Sequence, residues 1–172
     1  MSYQVALIMG AGAFGTSMAS VLAENFSQVV VKVRDQEICD SINDKRENCV
    51  YLPGQKLASN ISAAIGWDEI EKIIGDKKVE LIVNGLPTSA IIHFYRENKK
   101  QIESYLKEGI PFMSISKGID PDTLELSDDL FRTYFMEYED QITYLSGPSF
   151  AKEIVDKQVT LVALAGKTPD VL

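Results

Sequence analysis

Gly10-Ala11-Gly12-Ala13-Phe14-Gly15 follows without a break from the apolar run Val5-Ala6-Leu7-Ile8-Met9. Continuous apolarity without alternation marks a strand covered on both faces. Beyond the turn, Phe14, Met18, Val21 and Leu22 recur at i, i+4, i+7 and i+8, one face of a helix. G-x-G-x-x-G between a buried strand and a helix is the context a dinucleotide fingerprint requires. In that reading Gly10 permits the tight turn and Gly12 lets the backbone approach a pyrophosphate seated on the helix amides. Gly15 lets helix and strand pack closely. The plainer alternative is three glycines that serve only a strand-to-helix turn.

Further β-branched runs alternate with stretches of helical period to the end of the chain, the pattern of a parallel sheet wound with helices. Strands are expected at 29–33, 79–83, 111–116, 142–145 and 159–164. Helices are expected from Asp35, as cap, to about Arg46, near Trp67 to Ile74, and from Thr88 or Ser89 to about Leu106 with Ile91, Tyr95, Ile102 and Leu106 inward. Asp122-Thr123-Leu124-Glu125 has capping-box spacing and predicts a helix over 123–138. A helical segment is expected over 149–156, and Asn48 to Asn60 reads as a loop broken by Pro53-Gly54. The fold class is α/β, a Rossmann-type doubly wound, mostly parallel sheet with helices on both faces. Residues 1–172 read as one such domain, and Lys167-Thr168-Pro169-Asp170 as a domain edge with nothing to cover the last strand.

A chain of 172 residues holds a core without staples. Seventeen Lys and Arg against twenty-five Asp and Glu leave a net charge of −8 with no basic cluster, which argues against nucleic acid or an anionic membrane as partner. Two cysteines, Cys39 and Cys49, are too few for a disulfide framework or a zinc site. No basic leader or membrane-length apolar window is evident, so a cytoplasmic location is expected.

Arg34-Asp35 stands about twenty residues beyond Gly15, at the end of the second strand, the interval at which such folds read the adenosine ribose. An acidic residue there bonds the ribose hydroxyls of NAD, whereas an arginine pairs with the 2′-phosphate of NADP. The two neighbours point in opposite directions, and Asp35 also suits a helix cap. NAD and NADP both stay open, with a lean toward Arg34 facing the phosphate.

Four further segments follow in order: Asn48 with Tyr51-Leu52-Pro53-Gly54, Leu86-Pro87-Thr88, Ser116-Lys117-Gly118-Ile119, and Leu145-Ser146-Gly147-Pro148-Ser149-Phe150-Ala151-Lys152-Glu153-Ile154. With the glycine turn they closely resemble the NAD(P)-dependent sn-glycerol-3-phosphate dehydrogenases of bacterial type, over nearly the whole chain but in the cofactor domain alone. The resemblance implies that Gly10, Gly12, Ala13, Phe14, Gly15, Arg34, Pro87, Lys117 and Ala151 contact the cofactor. It implies too that Lys117, Gly147 and Ser149 contact the substrate, dihydroxyacetone phosphate or sn-glycerol 3-phosphate. The product supplies glycerophospholipid synthesis, and a homodimer is the expected full-length form. The family's main catalytic lysine, its neighbouring asparagine and its phosphate-gripping Arg-Asn pair lie in a helical C-terminal domain that these residues do not include. The 172 residues are therefore expected to bind cofactor without turning over. Leu57-Ala58 and Lys157-Gln158-Val159 depart from the family, which favours proline after that leucine and ahead of the last strand.

Lys117 also has a chemical case. Hydride transfer to a ketone builds negative charge on oxygen, which a nearby cation stabilises more in the transition state than in the ground state. A solvated loop lysine is the alternative. Ser149 lacks a basic partner and reads as a loop-ordering or capping residue, not a nucleophile. His93, mid-helix among Ile91, Ile92 and Phe94, reads as a packing or surface residue. Asp120, Asp122, Asp128 and Asp129 read as caps, and no metal site is expected. A stand-alone dinucleotide-binding or redox-sensing module and the cofactor domain of another hydroxy-acid dehydrogenase are the competing functions.

Overall fold

In the computed structural model residues 3–168 are described; Met1-Ser2 and 169–172, which include part of the expected domain edge, lie outside them. The elements run β1 Tyr3–Met9, α1 Ala13–Leu22, β2 Phe26–Lys32, α2 Gln36–Asp40, β3 Glu47–Asn48, β4 Leu52–Lys56, β5 Ile61–Ala64, α3 Trp67–Ile74 and β6 Val79–Asn84. They continue as α4 Thr88–Lys107, β7 Phe112–Ser114, α5 Ser127–Phe135, β8 Ile142–Ser146, α6 Ala151–Val155 and β9 Ala163–Gly166.

The main sheet has the order β5-β2-β1-β6-β7-β8-β9. All neighbours pair in parallel except β8 and β9, which are antiparallel. The order reverses between β1 and β6, and such reversal points are where open α/β sheets take ligands. The apolar run of β1 explains the double winding. Val5, Leu7 and Met9 join the core under α3, α4 and α5, while Ala6 and Ile8 join the core under α1 and α2. The α4 stripe of Ile91, Tyr95, Ile102 and Leu106 is buried as its spacing predicts.

Several boundaries differ from the sequence expectation. The helix after Asp35 keeps α-helical geometry only to Asp40, loosens into a π turn over Ser41–Lys45, and ends where Arg46 turns left-handed at φ 57°. The expected loop 48–60 contains the β3–β4 hairpin, with Pro53 and Gly54 inside β4. β5, unforeseen, is the sheet's outer strand beside β2. The Asp122 capping box does not form. Asp120 Oδ1 instead accepts the Asp122 and Thr123 amides at 3.0 Å, Leu124 adopts φ 59°, and the helix starts at Ser127, where Asp129 accepts the Leu126 amide. That helix ends at Phe135 and gives way to a 3-10 segment, Met136–Gln141. The segment 149–156 shortens to α6, and the last strand lies at 163–166, leaving Val159, Leu161 and Val162 exposed.

Candidate functional site: the cleft at the carboxyl ends of β1, β2 and β6

The glycine turn is fixed by close backbone contact. Gly10 has φ 102°, and a Cβ on Gly15 would stand 2.4 Å from Gly10 O. Neither position admits a side chain without moving backbone. Gly12 differs, because a Cβ there meets nothing within 4 Å. It is the N-cap of α1, with no side-chain cap and no acidic residue in the first helical turn. A ten-residue helix thus presents its positive end to an open cradle, the arrangement that accepts a phosphate group.

Asn48 holds this turn from below. Fully buried, it donates from Nδ2 to Ala11 O and to Thr16 Oγ1, both at 2.8 Å, and its Oδ1 accepts the Tyr51 amide at 3.1 Å. The β3–β4 hairpin is thereby tied to the glycine turn. The sequence singled out Asn48 as part of a motif but gave it no task.

A cleft of about 450 Å³ opens beside the turn. Gly10, Gly12, Arg34, Tyr51, Pro87 and Ala90 are among its lining residues. Arg34 reaches into solvent with its side chain 89% exposed, its Nε 3.5 Å from Asp35 Oδ1. Asp35 occupies the N-cap position of α2 but makes no side-chain cap bond. His93 stands on the cleft rim as an exposed residue, 3.2 Å from Glu97, so of the two roles expected for it the surface one holds. Lys32 lies deeper. Its Nζ donates to Ile65 O at 2.6 Å beside the rings of Trp67 and Phe94, and burial lowers its pKa while the Glu69 charge raises it.

On the other side of the turn, Lys117 Nζ donates to Gly147 O at 2.9 Å and to Ser149 Oγ at 3.1 Å, and stands 4.8 Å from the centre of the Phe14 ring. Residues 30 and 32 positions apart in the chain meet there because β7 and β8 are parallel neighbours whose ends face the same way. The loop carrying Lys117 is tied to the loop after β6 by Ser116 Oγ to Leu86 O, 2.7 Å, and by Thr88 Oγ1 to Lys117 O, 3.1 Å. Ser149, with Lys117 on its oxygen and Gly147 O 3.4 Å away, orders the loop. Ala151 O accepts Ser17 Oγ at 2.9 Å, which seats α6 on α1. Of the residues implied by resemblance, Gly10, Gly12, Arg34 and Pro87 line the cleft, while Phe14, Lys117, Gly147 and Ser149 gather beyond it. Ala13 and Gly15 lie between them in the first turn of α1.

Cys39 and Cys49 are both free thiols. Among the described residues no group of three or more His, Cys, Asp or Glu is placed to hold a metal ion, and no helix is long and apolar enough to cross a membrane.

Sheet order, reversal point, uncapped glycine turn and adjoining cleft define a Rossmann-type dinucleotide-binding domain of the kind found in dehydrogenases. Residues 4–171 match the family described as NAD-dependent glycerol-3-phosphate dehydrogenase N-terminus, and the chain belongs to that family. It is 33% identical over 161 residues to a glycerol-3-phosphate dehydrogenase [NAD(P)+] of Leptospira biflexa, covering 93% of this chain and 46% of that protein. The corresponding enzyme of Bacillus licheniformis is 36% identical over 159 residues, 92% of this chain and 43% of the relative. The chain thus spans less than half the length of these relatives. The crystal structure of a Coxiella burnetii glycerol-3-phosphate dehydrogenase superposes with TM-score 0.78 at 22% identity, over 98% of this chain and 48% of that one.

Proposed function

We propose that these 172 residues are the cofactor domain of an oxidoreductase that interconverts dihydroxyacetone phosphate and sn-glycerol 3-phosphate in the cytoplasm, in support of glycerophospholipid synthesis. The observation that carries the reading is the Lys117 corner, an ammonium held beside the glycine turn at the carboxyl end of the sheet. A bound nicotinamide dinucleotide would supply the hydride chemistry. The residues that would hold it are Gly10, Gly12, Ala13, Phe14, Gly15, Arg34, Pro87, Lys117 and Ala151. The open space over Gly12 and the uncapped α1 terminus suit its pyrophosphate.

Lys117 contributes charge and position. Gly147 O and Ser149 Oγ steer its ammonium, so a substrate oxygen that approaches meets a donor already aimed, and charge growing on that oxygen is stabilised as it forms. Gly147 and Ser149 thereby belong to the substrate side of the site. Ser149 is assigned no covalent role.

Matching under half of its relatives' length, the 172-residue chain is expected to bind cofactor without sustaining turnover, and the full-length protein to be a homodimer. Assays of dihydroxyacetone phosphate reduction test this: a rate equal to that of a longer form would refute the domain assignment. Arg34→Ala, titrated with both cofactors, should lose NADPH affinity more than NADH affinity. Equal loss of the two would remove Arg34 from the 2′-phosphate.

A further inference from the structure

Lys32 closes β2 on the sheet face it shares with Val30, and its side chain is directed toward α3 and α4, not into bulk water. Its Nζ stands 5.1 Å from the Trp67 ring centre and 5.9 Å from that of Phe94. An ammonium carries three donors. Among the described residues Ile65 O is its one hydrogen-bond acceptor, at 2.6 Å, and no carboxylate pairs with it. Glu69 acts on it through its field, with no ion pair between them, while its Oε2 accepts the Ile65 and Gly66 amides. Two donors of a half-desolvated cation are thus left beside the cleft that Lys32 lines.

The chemistry of that end of the cleft selects among ligands. Ile65, Ala90 and Phe94 form apolar lining near Lys32, His93, Glu97 and Asn98 of α4 add polar groups to the same cleft, and Arg34 and Asp35 stand toward solvent. A phosphate placed against those apolar groups would strand oxygens on hydrocarbon in a cleft that also carries the Glu97 carboxylate. A planar heteroaromatic ring places its faces on hydrocarbon and needs a donor only at its edge. Partial desolvation strengthens that single polar contact.

We propose that Lys32 is a base-recognition residue whose ammonium donates to a ring nitrogen of the cofactor's adenine, seated between the end of β5 and α4. The proposal rests on the dinucleotide reading and adds to it a residue that reads the base, distinct from Arg34, which reads the ribose. Charge-assisted hydrogen bonds are the strong ones, so removing this donor has a measurable cost.

Calorimetric titration of the 172-residue chain with ADP-ribose, NADH, NADPH and nicotinamide mononucleotide tests it on wild type, Lys32→Met and Lys32→Arg. Lys32→Met should weaken the three adenine-bearing ligands alike, by roughly tenfold or more, and leave the mononucleotide unchanged. Lys32→Arg should restore most of the loss. Wild-type protein gives a second readout that no folding defect can spoil, because Trp67 is the sole tryptophan and lies beside the ammonium. ADP-ribose should shift Trp67 emission saturably, and nicotinamide mononucleotide should not. Wild-type affinity for ADP-ribose in Lys32→Met would overturn the proposal. So would a loss confined to NADPH, which would assign Lys32 to the 2′-phosphate, or ADP-ribose binding that leaves Trp67 emission unmoved. Wild-type protein that binds none of the four ligands would overturn the dinucleotide reading itself, and this inference with it.

Discussion

The glycine turn and the Lys117 corner lie on either side of Phe14 and are built in opposite ways. The turn is backbone packed on backbone: Gly15 against Gly10, Gly10 against Gly85, and Asn48 bonded beneath. The corner is side chain reaching across loops, with Lys117 itself exposed and apolar groups left in water around it. Phe150, next to Ser149, is 68% exposed, and Leu161, whose carbonyl crowds Gly147, is 74% exposed. Rigid packing makes the first region complete in itself. The second has its ammonium in high dielectric, where a unit charge acts weakly; covering the apolar rim would exclude water and strengthen it. In the proposed function, the glycine turn is the half of the site that packing already fixes, and the Lys117 corner the half that a covering surface would strengthen.

That contrast can be broken first at Gly15. Gly15→Ala forces a Cβ into the Gly10 carbonyl and should destabilise the chain by roughly 3 kcal/mol in a urea melt. A neutral result would mean that α1 can slide, and the turn would not be the fixed half. Asn48→Ala should cost about 2 kcal/mol, since Ala11 O, Thr16 Oγ1 and the Tyr51 amide each lose a partner. Cofactor affinity should fall with it; full affinity at reduced stability would separate the hairpin from the site.

The smallest effect concerns Lys32. Burial holds its pKa below the ordinary 10.5, so in the interval between the lowered value and 10.5 the unfolded chain binds more protons than the folded one. Stability then rises with pH across that interval, as the folded state sheds the cost of a desolvated charge. Urea midpoints of wild type relative to Lys32→Met should climb from neutral to alkaline pH. A flat difference would show that the ammonium is fully hydrated.

Long buried elements were legible from residue pattern alone. β1 carries a continuous apolar run, β6 the apolar triplet Leu81-Ile82-Val83, α3 matches its expected bounds, and α4 keeps its stripe over its length. Ile61–Ala64 was not legible, because Ile-Ser-Ala-Ala lacks a β-branched run and becomes a strand only by pairing with β2. The helix at Ser127 was misplaced because a local competitor won: the Asp120 carboxylate captures the amides that Thr123 would have needed in a helix, and those hydrogen bonds hold its pKa below the usual carboxylate range. The last strand's reversed direction is a property of its partner β8, which no spacing within 159–166 encodes. The glycine turn announced its site in one stretch of sequence. Lys117, Gly147 and Ser149 came together in the sequence only through family resemblance, since parallel pairing supplies the proximity that chain distance hides. Lys32 left no signal, for a lysine at a strand end reads as solvated until the rings of Trp67 and Phe94 are seen beside it.

Gly12→Val offers the sharpest separation of fold from binding. Residue 12 has ordinary extended dihedrals, φ −64° and ψ 172°, and open space where a side chain would go, so valine fits the fold while filling the cradle above α1. Calorimetric titration with NADH, paired with thermal melts, should show wild type binding the cofactor and the variant melting at the same temperature without binding it. Undiminished affinity in a folded Gly12→Val protein would place the pyrophosphate elsewhere and contradict the assignment of this turn as the cofactor's seat.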